Sequence, residues 1–344
     1  YFDNTEDFVK MKYNNYDSVP WVKNSMIKTY NFSGDPVNIY INGEIIKNIT
    51  VPNGIKTIND LAFSCIFSLE SIEMTDETES IGGSAFNYCN LKTVNIPSNV
   101  KEIGTNAFSN NVNLKSVTMS EGIKRIGSCA FGSCEALEKV KLPESLESFG
   151  TGAFIGCSSL SEINIPSGIK EIPTSLFCGC NSLTNLVLPD SIKKLGSDFI
   201  RNTGISELKI PDSVDDIDNS AFYDADVKLI IENNVYAYAY AKRNSIKYES
   251  KSITESDING ITYAYSNKSA IVIKCNDNKS GTVIIPENVN NVPVKAIAEN
   301  AFYSCRSISD ITIPTGTEKI GSLAFGSCTS LKKVNLPEGI KEIG

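Results

Sequence analysis

The sequence predicts a repeat solenoid, and three observations carry the prediction. An apolar anchor returns at Phe63, Phe86, Phe108, Phe131, Phe154, Phe177, Phe199 and Phe222, and again at Phe302 and Phe325, so successive anchors mostly lie 22 or 23 residues apart. A Cys follows three residues after the anchor in many units, at Cys89, Cys134, Cys157, Cys180, Cys305 and Cys328. A Leu, a β-branched residue, a further apolar residue and a Pro then recur in order, as in Leu160, Ile163, Ile165 and Pro166. A fixed period of this length means that each unit is one coil, able to bury its apolar face only against its neighbours.

The elements of a coil follow from one unit, residues 153–172. Leu160 to Ile165 ends in apolar–polar alternation, which reads as a short strand with Ile163 and Ile165 inward. Pro166 stops the strand, because it has no N–H for a ladder. Ile169 and Ile172 supply a second apolar pair on another wall. Gly82, Gly104, Gly127, Gly150, Gly196 and Gly321 follow that pair in their units and suit a tight corner. The Ala-Phe segment is expected to form one short helical or 3₁₀ turn whose ring plugs the coil. Stacked coils place the strands in parallel sheets, about 4.8 Å apart.

The motif Leu137-x-x-Val140-x-Leu142-Pro143-x-x-Leu146-x-x-Phe149-Gly150-x-x-Ala153-Phe154-x-x-Cys157 resembles the BspA-like, or Treponema-type, class of leucine-rich repeats. The resemblance covers roughly residues 39–230 and 283–344. It implies a right-handed curved leucine-rich-repeat coil with short parallel strands and short helical or 3₁₀ turns, about 23 residues per repeat. It also implies a secreted or cell-surface protein engaged in adhesion. Several units depart from the motif: Met74-Thr75 and Met119-Ser120 lack the Pro, Pro173 and Asp218 replace the Gly, and Asn111, Asn202 and Ala225 replace the Cys.

Three segments are expected. Residues 1–38 are aromatic and irregular and read as an N-terminal capping or inter-array segment. Residues 39–250 form a first array, closed by a helix over 235–244 and a last strand at 246–248. Residues 251–344 form a second array that stops in mid-repeat, opened by a strand pair at 261–265 and 270–273 after a polar linker at 250–257. The chain opens on Tyr1 rather than Met, which reads as a mature or truncated product.

Composition narrows the function classes. A hydrophobic share of 41% fills a core, and the net charge of −8 without a Lys/Arg run argues against nucleic acid or an anionic membrane surface. No apolar stretch has the length of a membrane span, so no membrane insertion is expected. The chain has no His, which removes Ser-His and Cys-His nucleophile pairs and His-ligated metals. No phosphate-binding Gly loop or calcium-loop spacing appears. No enzyme activity, cofactor or metal is therefore expected in this segment.

The ten cysteines invite a metal or disulfide reading. No C-x-x-C pair supports metal. Side chains stacked in one column run parallel a rung apart, whereas a disulfide needs Cβ atoms near 3.8 Å and turned toward each other. The column cysteines read as small buried hydrophobes whose S–H reaches a backbone carbonyl. Asn111 and Asn202 in the same column fit a turn-stabilising role. The pairing of Cys65, Cys129, Cys178 and Cys275 stays open.

Binding is expected at the polar positions between the inward residues of each strand: Glu73, Asn95, Thr118, Lys141, Asn164, Val187 and Lys209. Stacked, they form one face of the sheet, suited to a protein or glycan ligand on a host or neighbouring cell. The face lacks aromatic anchors and a single sign of charge, so modest affinity raised by multivalency is expected. The chain is expected to act as a monomer. Two other readings stay open: a structural spacer that projects another domain, and a substrate-targeting module of an enzyme whose catalytic domain lies outside this segment.

Overall fold

The computed structural model describes residues 40–41 and 44–344. The expected N-terminal segment at 1–38 lies outside the described residues. The chain is a parallel-strand solenoid that divides into two compact units. One comprises the described residues up to Leu208 with Ile217–Val227; the other comprises Lys209–Asp216 with Lys228–Gly344.

In the first unit each coil has three walls. The strand wall stacks Asn48–Thr50, Ser71–Glu73, Thr93–Ile96, Ser116–Met119, Lys139–Lys141 and Glu162–Ile163 into one parallel sheet. The register pairs Ile72 with Val94, Val94 with Val117, Val117 with Val140 and Val140 with Ile163. Each of these five is buried, so the apolar column continues from coil to coil. A second wall stacks Thr57–Ile58, Ser80–Ile81, Glu102–Ile103, Arg125–Ile126 and Ser148–Phe149 in parallel.

The third wall carries the anchors. The rings of Phe63, Phe86, Phe108, Phe131 and Phe154 stack in series at 5.2–5.4 Å, with their planes nearly parallel. All five are fully buried. Burial of one such ring is worth about 1.5–3 kcal/mol, so this column is a principal source of cohesion between coils.

The expected helical turn takes a particular form. Three-residue turns such as Ser64 N–H to Leu61 O (3.1 Å) alternate with bonds to the next coil. Phe63 N–H donates to Ala85 O, Phe86 N–H to Ala107 O and Phe108 N–H to Ala130 O, at 2.7–2.8 Å. Two left-handed residues bracket most anchors, among them Leu61 and Cys65, Ser84 and Tyr88, and Asn106 and Asn110. A continuous 3₁₀ helix would spend these N–H groups inside the coil. Left-handed residues turn them outward along the stack instead, at a conformational cost of about 1–2 kcal/mol each.

The corner glycines answer to a different constraint from a tight corner. A Cβ on Gly104 would lie 2.5 Å from the Gly82 carbonyl carbon, and one on Gly127 would lie 2.6 Å from that of Gly104. Neither residue has a left-handed φ. Glycine is required there because successive backbones touch.

In the second unit the predicted helix spans Val235–Arg243. Asn234 caps it by accepting from Ala237 N–H at 2.9 Å, and its amide nitrogen donates to the carbonyls of Pro211 and Val214 at 2.7 Å each. Tyr248–Glu249 then pairs parallel with Lys228–Ile231. The segment read as a linker is in part a strand: Thr254–Ile258 pairs antiparallel with Ile261–Tyr265. Asn259 and Gly260 both have positive φ (55° and 78°), so the pair forms the two-residue turn that such hairpins favour. Polar composition concealed this strand, although the Asn-Gly pair marks it. Ala270–Cys275 continues the sheet, which then passes to parallel coils through Val292–Ile297, Lys319–Ile320 and Glu342–Ile343.

Candidate functional site: the exposed side of the strand wall

Alternation along the strands sets up this surface. In Thr93–Ile96 and Ser116–Met119 the burial pattern is exposed, buried, exposed, buried. Asn95 therefore stands beside Thr118, and Thr118 beside Lys141, in register on the solvent side. Glu73 is exposed at the end of Ser71–Glu73, where it accepts from Thr50 Oγ1 at 3.2 Å.

The flanking charges are arranged so as to cancel. Glu70 lies between Lys47 (3.7 Å) and Lys92, with which it forms a short ion pair. Lys139 and Glu162 pair at 2.8 Å. The Lys92 and Lys139 ammonium groups hold the Glu70 and Glu162 carboxyls below the usual carboxylate range. These pairs are exposed and each adds little stability. Their effect is to leave the surface without a dominant sign.

Asn164 and Val187 mark a break in the wall. The Asn164 side chain turns back to its neighbouring coil: its Oδ1 accepts from Leu142 N–H at 2.7 Å and its Nδ2 donates to Leu142 O at 3.0 Å. A side chain thus occupies backbone groups that a further ladder bond would use. The strand Glu162–Ile163 is only two residues long, and residues 183–189 take no strand conformation. A cleft of about 310 Å³ opens there, lined in part by Asn164, Val187 and Pro189. Val187 is 71% exposed, an unusual state for a valine. Lys209 belongs to the second unit, where it pairs with Glu232 at 2.9 Å.

The thiol column is structural. Cys89, Cys134, Cys157 and Cys180 donate S–H to the carbonyls of Phe63, Phe108, Phe131 and Phe154 at 3.1–3.2 Å, each in the preceding coil. Asn111 fills the same place with two bonds of 2.8 Å, to Phe86 O and Phe108 O. Asn202 does not act in this way. It is exposed with φ of 54°, and the hydroxyl of Thr203 donates to Ile200 O instead, at 2.8 Å. Phe199 takes the place of the preceding Ala, its carbonyl accepting from Phe177 N–H at 2.9 Å as Ala153 O accepts from Phe131 N–H, so the anchor place falls to the buried Ile200 and the column place to Thr203. Burial pushes the Cys134 and Cys180 thiols up to about 12. All ten cysteines are free.

Among the described residues, no group of three or more His, Cys, Asp or Glu side chains could hold a metal ion. No helix among them is long and apolar enough to cross a membrane. In the second unit a cleft of about 740 Å³ is lined by Lys242, Arg243, Glu255 and Glu299, whose charges already pair as Arg243–Glu299 (2.9 Å) and Lys242–Glu255.

A solenoid whose stacked coils present repeated rows of side chains belongs to the class of repeat binding and scaffold proteins. The model of the BspA type leucine rich repeat region matches residues 37–134, 101–228 and 295–344, and the chain belongs to that family. Among solved structures it is similar to a leucine-rich repeat protein from Bacteroides ovatus, with 25% identity over 86% of this chain and 82% of that one and a TM-score of 0.47. A leucine-rich repeat protein from T. pallidum shows 28% identity over 45% of this chain and 76% of that one, with a TM-score of 0.43. A leucine rich cell surface protein from Faecalibacterium prausnitzii shows 24% identity over 86% and 70%, with a TM-score of 0.40. No curated relative matches the chain.

Proposed function

We propose that this chain is a secreted or cell-surface adhesion module whose first unit docks a protein or glycan ligand of a host or neighbouring cell through the exposed side of its strand wall. The observation that carries this reading is the in-register exposed column Asn95, Thr118 and Lys141, set on a fully buried apolar column. Such a column is rigid before binding, so little ordering entropy opposes association. Its neighbours' charges cancel between coils, so contact rests on shape and hydrogen bonding, with weak steering. The exposed Val187 beside its cleft adds an apolar contact at one end. Each contact is modest, and repetition along the coils supplies avidity.

The test is a binding screen of the chain against host matrix proteins, mucins and a glycan array, beside a Thr118→Arg/Lys141→Glu variant. Saturable binding that the variant loses supports docking on this wall. A blank for both proteins favours a spacer, and binding that survives in the variant moves the site elsewhere.

A further inference from the structure

The turn wall of the first unit contains a notch with a simple origin in the sequence. Two residues separate the column position from the next Leu in most coils: Phe67 and Ser68 before Leu69, Val112 and Asn113 before Leu114, Glu135 and Ala136 before Leu137. In the coil between the first two of these only Asn90 stands between Cys89 and Leu91. One residue is missing from the wall, while the coils on either side keep theirs. The result is a cleft of about 550 Å³, walled by Phe67 and Val112, with Tyr88 and Asn90 between them and Asn110 and Asn113 at one side.

The lining has a consistent chemistry. It contains no carboxylate and no basic group. Its one thiol, on Cys89, is buried and committed to Phe63 O at 3.1 Å. Phe67 and Tyr88 are half-buried and Val112 is 45% exposed, so apolar surface faces the opening. Asn113 Nδ2 donates to Asn90 Oδ1 at 2.7 Å, and Asn110 Nδ2 donates to Ser109 Oγ at 2.9 Å and to Asn87 Oδ1 at 3.4 Å, which leaves the Asn110 carbonyl oxygen as its group for a ligand. An amide carries two donors and two acceptor lone pairs, so these bonds orient the groups while Asn90 and Asn113 keep both donor and acceptor capacity for a ligand.

We propose that this notch binds an uncharged sugar. A pyranose ring has an apolar C–H patch that suits the negative face of an aromatic ring, and hydroxyls that donate and accept as side-chain amides require. The volume matches a small-ligand site and holds one or two sugar rings. The lack of charge selects neutral sugars over phosphorylated or sialylated ones, whose anion would be desolvated without a partner. This site lies on a different wall from the docking surface above and stands independently of it.

The experiment is saturation-transfer NMR on the whole chain with glucose, galactose, mannose and N-acetylglucosamine and their disaccharides, with sialic acid and glucose 6-phosphate as charged comparators. Transfer to the ring protons of a neutral sugar, and none to the charged ones, is the expected result. Tyr88→Asn keeps the backbone, because Asn110 holds the equivalent left-handed position in the next coil. It should weaken binding by about tenfold, the loss of one ring contact. Insertion of a Ser between Asn90 and Leu91 restores the longer spacing and should abolish binding, with a melting curve to show that the coil is intact. Thr118→Arg/Lys141→Glu should leave sugar binding unchanged. No transfer to any neutral sugar, equal transfer to the charged ones, or full binding in Tyr88→Asn or in a folded insertion variant would overturn the proposal.

Discussion

The thiol of Cys157 donates to the carbonyl oxygen of Phe131 at 3.1 Å, 26 residues earlier and one coil back. The same bond recurs one coil earlier from Cys134 to Phe108 and one coil later from Cys180 to Phe154. The column thus ties each turn to the anchor beneath it. A weak donor suffices because the carbonyl is buried and would otherwise lack a second partner.

Asn111 bears more of this load than any single cysteine. It donates to Phe86 O and Phe108 O and accepts from Leu91 N–H at 3.1 Å. Asn111→Ala should leave three buried backbone groups short of a partner and cost about 3 kcal/mol or more. Cys157→Ala removes one weak bond and a small volume and should cost about 1 kcal/mol. Urea unfolding of the two variants measures the difference, and equal costs would contradict the assigned bonds.

Thiol reactivity should divide the cysteines by position. Thiolate is the reactive form, and burial holds Cys134 and Cys180 up to about 12, so both stay protonated through neutral pH. Brief treatment of the native chain with iodoacetamide should label the partly exposed Cys129 and Cys178 first, ahead of Cys328, which is also partly exposed but donates its S–H to Phe302 O at 3.0 Å. Peptide mass mapping reads the order. Raising the pH to about 9 should not bring Cys134 into the labelled set until the coils unfold.

Substitution of the corner glycines should be severe for a reason unrelated to φ. Gly104→Ala drives a methyl group to within 2.5–2.7 Å of backbone atoms of Gly82 and Gly83 and should cost about 3 kcal/mol. Gly54→Ala meets no atom within 4 Å, but φ there is 85°, so it should cost only about 1 kcal/mol. Thermal melts of the two variants compare the clash with the strain.

The second unit should carry an acid-sensitive contact at Glu318. It accepts from Lys295 at 2.8 Å and from Lys341 at 2.5 Å, and these hydrogen bonds lower its carboxyl to about 2. The folded value lies below the unfolded one. The stabilisation is therefore full above about pH 4.5 and lost as pH falls toward 2. The carboxylate is more than a third exposed, so the effect is small. Glu318→Gln should flatten the stability profile across that window and leave it unchanged in slope above it.

Much of this was legible from residues 45–231 alone. The apolar period named the buried positions, from Phe63 to Phe222, and the alternation in Thr93–Ile96 named the exposed ones. The reason is physical: each coil repeats one packing problem, so one unit read correctly fixes the others. The bonding of the Cys column was legible for the same reason, since stacked side chains cannot meet as disulfides but can reach a carbonyl.

What the sequence determined by itself is the coil, its period, its buried columns and the family to which it belongs. Only the tertiary structure decided how neighbouring coils meet. It turned Asn164 onto Leu142 and ended the ladder, moved the bonding role from Asn202 to Thr203, made a strand of Thr254–Ile258 and opened the notch over Tyr88. Apart from the Thr203 bond, which closes on Ile200 three residues back, each of these depends on the relation of a residue to a coil about 23 positions away, or to a strand across a turn. Local pattern encodes which side of a coil a residue occupies. It does not encode what stands beside that residue once a neighbour is a residue shorter or ends its strand early.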